Sequence, residues 1–400
     1  MKILMISPKI PCPPDDGHKK SIFNVLKYLS LREHQIDFLT YSHGVKEPSI
    51  INEVEKYCRL IPVESSTKNS IDGALTNLFQ KEPYNFSKFR TKELEEKLIA
   101  LLKENEYDIV HVINAHLAWV IGIVKKYSKA KTVLREENLE LNIMKRFYEK
   151  QSNPLIKLYS YIQYKKMEKY EPEICGKFDA CVMISEIDKG QLSELNPRAK
   201  VFSIPIGIEE ELFKLSKIDV IPNTLVAIGS LDWYPNLDGI NWFINTIFPL
   251  IIEKNSLVKL YLYGGGDYKK LLISESVKDY INIGGFVDDI WSSVLTKSLA
   301  VVPLRIGSGI RVKILEMLAA GQNIITTSIG AEGIPLKKNF HLLIEDEPIK
   351  FVETILTYFN GQFNSEEVRI NGREFIKENY TAEKSAEKFE NIYLSLLNKN

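Results

Sequence analysis

The chain has few cysteines, and they are not spaced as a metal or redox site. Its 400 residues include Cys12, Cys58, Cys175 and Cys181. No two of them form a C-x-x-C pair and the six histidines are scattered, so a structural zinc site is not expected. Free, reduced thiols are expected instead, which is typical of a cytosolic compartment.

The sequence also lacks an excess of charge of one sign and a long apolar run. Lys plus Arg and Asp plus Glu both number 52, and this zero net charge argues against a nucleic-acid partner. No apolar run approaches the roughly 18 residues that a membrane span needs. The first apolar run begins at Lys2 and is soon broken by prolines, so no signal peptide is expected. These features predict a cytoplasmic protein and leave a peripheral contact with the inner face of the membrane open.

The overall composition, with 44% apolar and 26% charged residues, is typical of a folded globular protein. At roughly 100–200 residues per domain, the length predicts about two domains. We place the first domain at 1–205 and the second at 206–378, with a polar, Pro-containing link at Asp219–Asn223. A last helix over 379–400 is expected to cap either domain or to cross back to the first.

Short apolar runs alternate with amphipathic stretches through the whole chain. This pattern predicts two Rossmann-like α/β domains, each with a doubly wound parallel sheet covered on both faces. The helices predicted from apolar spacing include Ser21–Leu31, Trp242–Glu253 and Arg311–Ala320. The predicted strands are Lys2–Ser7, Gln35–Thr40, Ile109–Ile113, Lys131–Leu134, Ala180–Ile184, Val201–Ile204, Thr224–Ile228, Lys259–Tyr263, Ile281–Ile283, Leu299–Pro303 and Asn323–Thr327.

An aromatic and basic stretch covers residues 144–177. One interpretation is a long amphipathic helix that covers the first sheet. The other is a surface for a membrane or an anionic acceptor. The sequence alone leaves both interpretations open.

The densest chemical signal is the run from Val301 to Gly333. It predicts a strand, a glycine-rich turn, a helix, and a second strand that ends in another glycine-rich turn. Glycines let a backbone approach a ligand closely, and exposed N–H groups at a helix start bind anions. Gly307 and Gly309 flank Ser308 at this turn, and Ser308, Gly309 and Ile310 are therefore candidate donor-binding positions.

Cations and a carboxylate follow this turn at spacings that place them together. Lys313 and Glu316 are three residues apart and share a helix face with Gly309 and Ala320. On a continuous helix Arg311 would lie about 160° from Lys313. Arg311 can therefore join the same site only if the helix begins at or after it. An ordinary surface helix with an i,i+3 ion pair is the alternative.

The residues from 307 to 316 resemble a known motif. The segment is similar to the G-x-G-x-R-x-K-x-L-E form found in retaining glycosyltransferases of family four, which have the GT-B fold. The resemblance implies two Rossmann-like domains that face a central cleft. It also implies that Glu316 holds the ribose hydroxyls of a nucleotide-sugar donor. Members with two glutamates carry the first where this chain has Ser308, so here backbone N–H groups after Ser308 are expected to contact the donor.

Other segments extend the resemblance over most of the chain. The proline-rich loop that ends at Gly17 resembles the first loop of the family, and 135–140 resembles an R-x-H-N-x-E segment. The stretch from Gly229 resembles the first loop of the second domain, although residues 229–241 contain no Arg or Lys. By resemblance Gly17, Ser230, Phe286 and Val287 are donor-binding positions.

The resemblance implies transfer of a sugar from a nucleotide-diphosphate donor with retention of the anomeric configuration. Arg311, Lys313, Glu316 and His116 are the candidate catalytic residues, and no metal or resident cofactor is expected. His116 is either an acceptor or sugar contact or the cap of the helix that follows it. The acceptor is expected to be a glycan, a lipid-linked sugar or a protein.

Three other functions remain as alternatives. A catalytically inactive binding subunit of a glycan-assembly complex would explain Ser308 and the missing cation at 229–241. A nucleotide-sugar epimerase shares the fold that the resemblance implies. A dinucleotide oxidoreductase is disfavoured because no G-x-G-x-x-G follows Lys2–Ser7.

Overall fold

The computed structural model describes residues 1–216, 219–307 and 309–398, and the chain forms two units. The first contains Met1–Gly207 and the C-terminal segment from Ala382 onwards, and the second contains Ile208–Thr381. All four cysteines are free thiols. Among the described helices, none has both the length and the apolar character that crossing a bilayer requires.

The first unit is built on a parallel sheet of seven strands. Their order is β3-β2-β1-β4-β5-β6-β7, so the chain winds outwards in both directions from the neighbouring strands β1 and β4. Consecutive buried residues explain this arrangement, because each face of the sheet needs a cover of helices. The strands are β1 (Lys2–Ser7), β2 (Gln35–Tyr41), β3 (Arg59–Val63), β4 (Ile109–Ile113), β5 (Lys131–Glu136), β6 (Ala180–Met183) and β7 (Val201–Ser203).

Helices cover both faces of this sheet. Leu4 and Ile6 belong to one apolar core, whereas Ile3 and Met5 belong to the core on the opposite face. A 3₁₀ helix spans Ala115–Val120. The α-helices are α1 (Gly17–Leu31), α2 (Pro48–Glu55), α3 (Ile71–Asn77), α4 (Tyr84–Ser87), α5 (Lys92–Glu104), α6 (Ile121–Tyr127), α7 (Glu140–Lys150), α8 (Pro154–Cys175) and α9 (Glu186–Leu195).

The second unit repeats the plan with six parallel strands. Their order is β10-β9-β8-β11-β12-β13, and β8 and β11 are the neighbours from which the chain winds outwards. The strands are β8 (Ile221–Ile228), β9 (Lys259–Tyr263), β10 (Ile281–Gly285), β11 (Lys297–Val302), β12 (Ile324–Thr326) and β13 (Leu343–Ile344). The α-helices are α10 (Tyr234–Trp242), α11 (Phe248–Lys254), α12 (Glu275–Lys278), α13 (Ile290–Leu295), α14 (Val312–Ala319), α15 (Pro348–Phe359) and α16 (Ser365–Asn379). A π-helix spans Phe243–Ile247, and 3₁₀ helices span Glu210–Lys214 and Tyr268–Lys270.

The last helix, α17 (Ala382–Leu397), packs in the first unit against α1. Its Phe389 and Tyr393 are fully buried in the core that α1 shares with the sheet. Glu390 on the same helix forms an ion pair with Arg32, which follows α1. The end of the chain is therefore part of the core formed by its beginning.

The two-sheet α/β architecture predicted from the sequence is confirmed, and several details of it are corrected. Residues 144–177 form two helices rather than one, because Asn153 caps α8 by accepting hydrogen bonds from the N–H groups of Leu155 and Ile156. The predicted link Asp219–Asn223 is wrong in its second half, because β8 begins at Ile221. Strands β3 and β13 were not predicted.

Candidate functional site

The candidate site of the second unit lies at the carboxyl ends of β8 and β11. These neighbouring strands start the two opposite windings of the sheet. Ligands of open α/β sheets bind outside the carboxyl ends of strands at such a switch point. Gly229 follows β8 directly, and the loop from Pro303 to Arg311 follows β11.

Lys313 on α14 links this helix to the end of β8 and to α10. Its Nζ donates hydrogen bonds to the carbonyl oxygen of Ile228 and to Oδ1 of Asn236, both at 2.8 Å. Asn236 is in turn held by its own hydrogen bond to the Ser230 carbonyl oxygen at 2.8 Å. Burial and the nearby Arg311 lower the pKa of Lys313 to about 7. Residues 229–241 contain no cation of their own, and helix α14 brings one to the end of β8.

Gly229 makes this contact sterically feasible. Its φ of +139° lies where side chains are rarely tolerated, and an added Cβ would lie 2.6 Å from Asn236 Nδ2 and 3.0 Å from Lys313 Nζ. A glycine at this point of the first loop therefore lets Lys313 reach the end of β8.

Arg311 occupies the N-cap position of α14, and the helix begins at Val312. This is the condition under which Arg311 can share a site with Lys313. The guanidinium is buried, donates to the Gly309 carbonyl oxygen at 3.0 Å and lies 5.9 Å from the centre of the Trp233 ring. An added Cβ on Gly307 would lie 2.4 Å from Arg311 Nη2, so this glycine leaves room for the guanidinium.

Glu316 lies in the second turn of α14 and is also buried. The run from Ile314 to Ala319 is buried throughout, so the alternative of an ordinary surface helix is wrong. Ile310 is buried before the helix and Gly309 has a φ of +78°. Ser308 lies outside the described residues. The N-cap residue of α14 is Arg311.

The other donor-binding candidates of this unit lie on loops at the same edge of the sheet. Ser230 is exposed, and its Oγ accepts a hydrogen bond from the Asp232 N–H at 3.2 Å. Phe286 and Val287 follow β10, two strands from β8, and the Phe286 side chain is 73% exposed. An exposed aromatic ring at this distance, roughly 10 Å from the central strand, is suited to stacking on a planar group.

The first unit has its own cluster at the carboxyl ends of β1, β4 and β5. Gly17 begins α1 there, and its neighbour His18 lies 2.5 Å from Glu137 through Nδ1 and Oε2. Burial opposes ionisation of Glu137, but the His18 imidazole and the Arg135 guanidinium hold its pKa below the ordinary value. His18 and Glu137 therefore form an anchored polar pair beside Gly17.

His116 lies in the 3₁₀ helix after β4, 3.6 Å from Glu140 through Nε2 and Oε2. Burial, with smaller effects from Lys88 and His18, lowers the pKa of His116 to about 3. Burial and the nearby Glu137 raise the pKa of Glu140 to about 7. His116 is not the helix cap, because Asn114 Oδ1 accepts the capping hydrogen bond. The cluster thus offers a neutral imidazole and a carboxyl that titrates near neutrality.

His111, on β4, does not belong to this cluster. It is fully buried, and its Nδ1 lies 2.6 Å from the Tyr393 hydroxyl on α17. The His18–Glu137 pair and Glu140 are the site residues that sequence reasoning missed. Only the sheet order, which brings β1, β4 and β5 together, shows them as one cluster.

One group of side chains among the described residues has metal-ligating atoms close together. Glu136, Cys175 and Cys181 have these atoms within 4.8 Å of one another, all fully buried in the first unit. Cys175 Sγ donates to Glu136 Oε1 at 2.9 Å. The group lies in the core and includes none of the candidate catalytic residues.

The likeness to known proteins is strongest at the level of fold. Residues 222–360 match the family model described as "Glycosyl transferases group 1". The chain is also similar to an "uncharacterized 44.6 kDa protein in cps region" of Klebsiella pneumoniae. That relative is 25% identical over 400 residues, which cover 96% of this chain and 97% of the relative.

Solved structures match the whole chain. Sucrose-phosphate synthase from Thermosynechococcus elongatus has a TM-score of 0.74 and 14% identity, and the match covers all of both chains. TarM from S. aureus has a TM-score of 0.71 and 13% identity, covering 100% of this chain and 99% of TarM. Anabaena HepE, solved in complex with UDP, has a TM-score of 0.68 and 11% identity, covering 99% and 100%. The chain thus has the GT-B fold, and its second unit matches the group 1 glycosyltransferase model from β8 to α15.

Proposed function

We propose that the protein is a retaining glycosyltransferase that moves a sugar from a nucleotide-diphosphate donor to a hydroxyl of an acceptor. The observation that carries this proposal is the placement of Arg311, Lys313 and Glu316 in the first turns of α14, where the Lys313 amine bonds to the end of β8 at the switch point of the second sheet. The family model covers the same region, and a structural neighbour is solved with UDP-glucose. The fold alone would not specify the chemistry, because one fold hosts many functions.

The cations Arg311 and Lys313 would bind the donor diphosphate. As the bond between the sugar C1 and the diphosphate oxygen breaks, the electron pair stays on the diphosphate. Fixed cations and N–H groups aimed at that oxygen stabilise the charge in the transition state. Gly309 and Ile310 would supply N–H groups at the start of α14, together with the position of Ser308. In this proposal the two cations make a divalent metal unnecessary.

Glu316 would accept hydrogen bonds from the ribose hydroxyls of the donor. The base would lie near Phe286 and Val287, and Ser230 would contact the diphosphate. These roles rest on the sequence resemblance, and the positions of these residues at one edge of the second sheet support them.

The acceptor oxygen would attack C1 on the face that the diphosphate leaves. Its proton would pass to the departing diphosphate oxygen. Atoms and charges therefore balance without a pair of catalytic carboxylates. In the first unit Gly17 and His116 would orient the donor sugar or the acceptor. The relative in a cps region supports a glycan or a lipid-linked sugar as the acceptor, with polysaccharide biosynthesis as the setting.

We further propose a cytoplasmic location with a peripheral membrane contact through residues 144–177. Phe147 on α7 and Leu155 and Leu158 on α8 are exposed. Exposed basic side chains lie among them, Lys145, Lys150 and Lys157. Apolar groups flanked by lysines are typical of an interfacial surface.

A screen of nucleotide sugars by thermal shift, followed by assays on the best donor, tests the function. We expect one nucleotide sugar to raise the melting temperature, because it binds only the native state. Slow release of nucleotide without acceptor would exclude the inactive binding subunit, and an unchanged sugar configuration in the nucleotide pool would exclude the epimerase. Proton NMR of early product is expected to show retention, and chelation is expected to leave the rate unchanged. An inverted linkage, or a rate restored only by added magnesium, would contradict the mechanism.

A further inference from the structure

A basic groove of about 790 Å³ lies in the first unit, between α3, α4 and the segment that precedes α3. Four cations line it, Lys68, Lys81, Lys88 and Arg90, and most of the other lining groups are hydroxyls and amides. The one lining carboxylate, on Glu82, accepts a hydrogen bond from the Tyr170 hydroxyl at 2.8 Å. The groove thus has a marked excess of positive charge.

These four cations form no close ion pair within the described residues, although the Glu140 carboxylate lies near enough to Lys88 to attract it. Lys88 Nζ bonds to a neutral group, Asn69 Oδ1, at 3.0 Å. Within the described residues, no ion pair joins any of the four cations to a carboxylate. Concave surfaces lined by charges of one sign concentrate the opposite charge. The groove is therefore suited to an anion that carries several charges, such as a phosphate or a diphosphate.

An exposed apolar stripe runs beside the groove. Gly73 and Thr76 of α3 line the groove, whereas Ile71, Leu75 and Phe79 follow one another at intervals of four residues. The side chains of these three are 81%, 56% and 94% exposed. Exposed apolar residues that lie together mark a binding surface more often than single ones do.

The stripe is held in a fixed position by a buried polar anchor. Asn77, at the end of α3, is 1% exposed and donates to Gln80, Ser87 and the Glu82 carbonyl oxygen. Its Oδ1 accepts from Gln163 on α8 at 3.0 Å. The stripe is thus presented by a segment tied to α8, and its exposure does not come from loose packing.

The segment that carries α4 also connects the groove to the cluster around His116. Its Lys88 and Arg90 line the groove, while Phe89 stacks on the His116 ring with centroids 5.0 Å apart. Phe86 contacts the same ring at 5.4 Å. A ligand in the groove would therefore lie next to the polar cluster at the switch point of the first sheet.

We propose that this groove binds the phosphate-bearing head of an amphiphile, with Ile71, Leu75 and Phe79 against its hydrocarbon. The inference rests on the proposed function and gives the acceptor a class: a sugar carried on a lipid phosphate or diphosphate. A membrane phospholipid offers the same chemistry, and the experiment separates the two sources. A polyanionic glycan fits the cations but leaves the stripe uncovered.

Two probes are used with the full-length protein. The first is farnesyl diphosphate, a water-soluble amphiphile, measured by calorimetry against farnesol. The second is phosphatidylcholine vesicles with and without phosphatidylglycerol, measured by co-sedimentation. The groove variant is Lys68→Gln with Lys81→Gln, and its charge-matched control is Lys125→Gln with Lys129→Gln on an exposed part of the same unit. Phe79→Ser tests the stripe, with Leu31→Ser as the exposed apolar control.

The groove variant is expected to weaken binding about 30-fold, from roughly 1 kcal/mol for each basic residue near an anionic surface. Phe79→Ser is expected to weaken it about tenfold, and both controls are expected to match the wild type. Loss of farnesyl diphosphate binding assigns the groove to a lipid carrier. Loss of vesicle binding alone assigns it to membrane phospholipid.

Three results would overturn the inference. The groove variant could bind both probes like its control, the wild type could bind neither probe, or Phe79→Ser could have no effect while the lysine variant does. The last result would indicate a polyanion without a lipid. Nucleotide-sugar binding, measured on the same preparations, separates this inference from the proposed function. A protein that binds the donor but neither probe keeps its function and loses this site.

Discussion

At the scale of single residues, the proposed binding of a donor diphosphate at Lys313 predicts that donor binding is coupled to proton uptake. Burial and Arg311 lower its pKa to about 7, so the ligand-free side chain is mostly neutral at pH 8. A bound diphosphate stabilises the charged form and raises that pKa. Donor binding is therefore expected to take up as much as about 0.9 proton at pH 8 but only about 0.1 at pH 6. Calorimetry in buffers of different ionisation enthalpy measures this number.

The Lys313→Met variant provides the control for this coupling. It is expected to bind the donor more weakly and to show no proton uptake at pH 8. The ligand-free stability gives a second readout. Because the folded-state pKa lies below that of a free lysine, the unfolded state binds more protons between about pH 7 and 10.5, and wild-type stability should rise with pH there. An uptake at pH 8 that persists in Lys313→Met would assign the coupling to another group.

The sequence predicted which residues lie together at the start of α14, but it did not predict the contacts that these residues make with other elements. Gly307, Arg311, Lys313 and Glu316 are local in the chain, so their spacing shows that they stand at one helix start. The bond from Lys313 to Ile228 joins residues 85 positions apart, and only the packing of α14 beside β8 creates it. No periodicity in the sequence encodes such a contact.

At the scale of elements, the loop after β8 depends on one glycine. Gly229→Ala places a side chain at φ +139° and within 2.6 Å of Asn236 Nδ2. It is expected to cost about 1–3 kcal/mol of stability through backbone strain. Donor affinity should fall as well, because Lys313 must move. Urea unfolding and calorimetry measure the two effects.

Gly265→Ala is the matched control for this substitution. Nothing lies within 4 Å of a Cβ added at Gly265, so stability and donor affinity should stay close to the wild type. Equal effects of the two substitutions would show that the loop after β8 has no special need for glycine.

Element prediction succeeded where apolar runs were long and missed two of the four edge strands, β3 and β13. Strands such as Lys2–Ser7 and Ile109–Ile113 were predicted with their observed bounds because they are continuous buried runs. β3 was missed because Pro62 interrupts its short run, and its place at the edge of the sheet explains why proline is tolerated there. β13 has only two residues, too few for any alternation to be visible.

At the scale of the whole molecule, the C-terminal helix ties the end of the chain to the first unit. Phe389 on α17 is fully buried against α1 and lies over the Arg135 guanidinium at 5.5 Å. Phe389→Ala is expected to destabilise the first unit by about 3–5 kcal/mol. Hydrogen exchange should show faster exchange in residues 1–207 and unchanged protection in 208–381.

Leu394→Ala is the control variant, because Leu394 is exposed on α17. It separates the loss of the buried Phe389 ring from the effect of any alanine substitution in this helix. It should leave exchange in both units unchanged. Loss of protection in the second unit on Phe389→Ala would contradict the division of the chain into these two units.

The proposed function rests above all on donor binding through Glu316 at the switch point of the second sheet. Calorimetric titration of the stabilising nucleotide sugar into the wild type and Glu316→Ala tests this directly. The wild type is expected to bind one donor per chain. The variant should lose about 1.5–3 kcal/mol of binding free energy, the value of a hydrogen bond to a charged group, which corresponds to a roughly 10- to 150-fold weaker affinity. Equal affinity of a folded Glu316→Ala variant would contradict the assignment of Glu316, and the absence of binding to any nucleotide sugar by the wild type would contradict the proposed function.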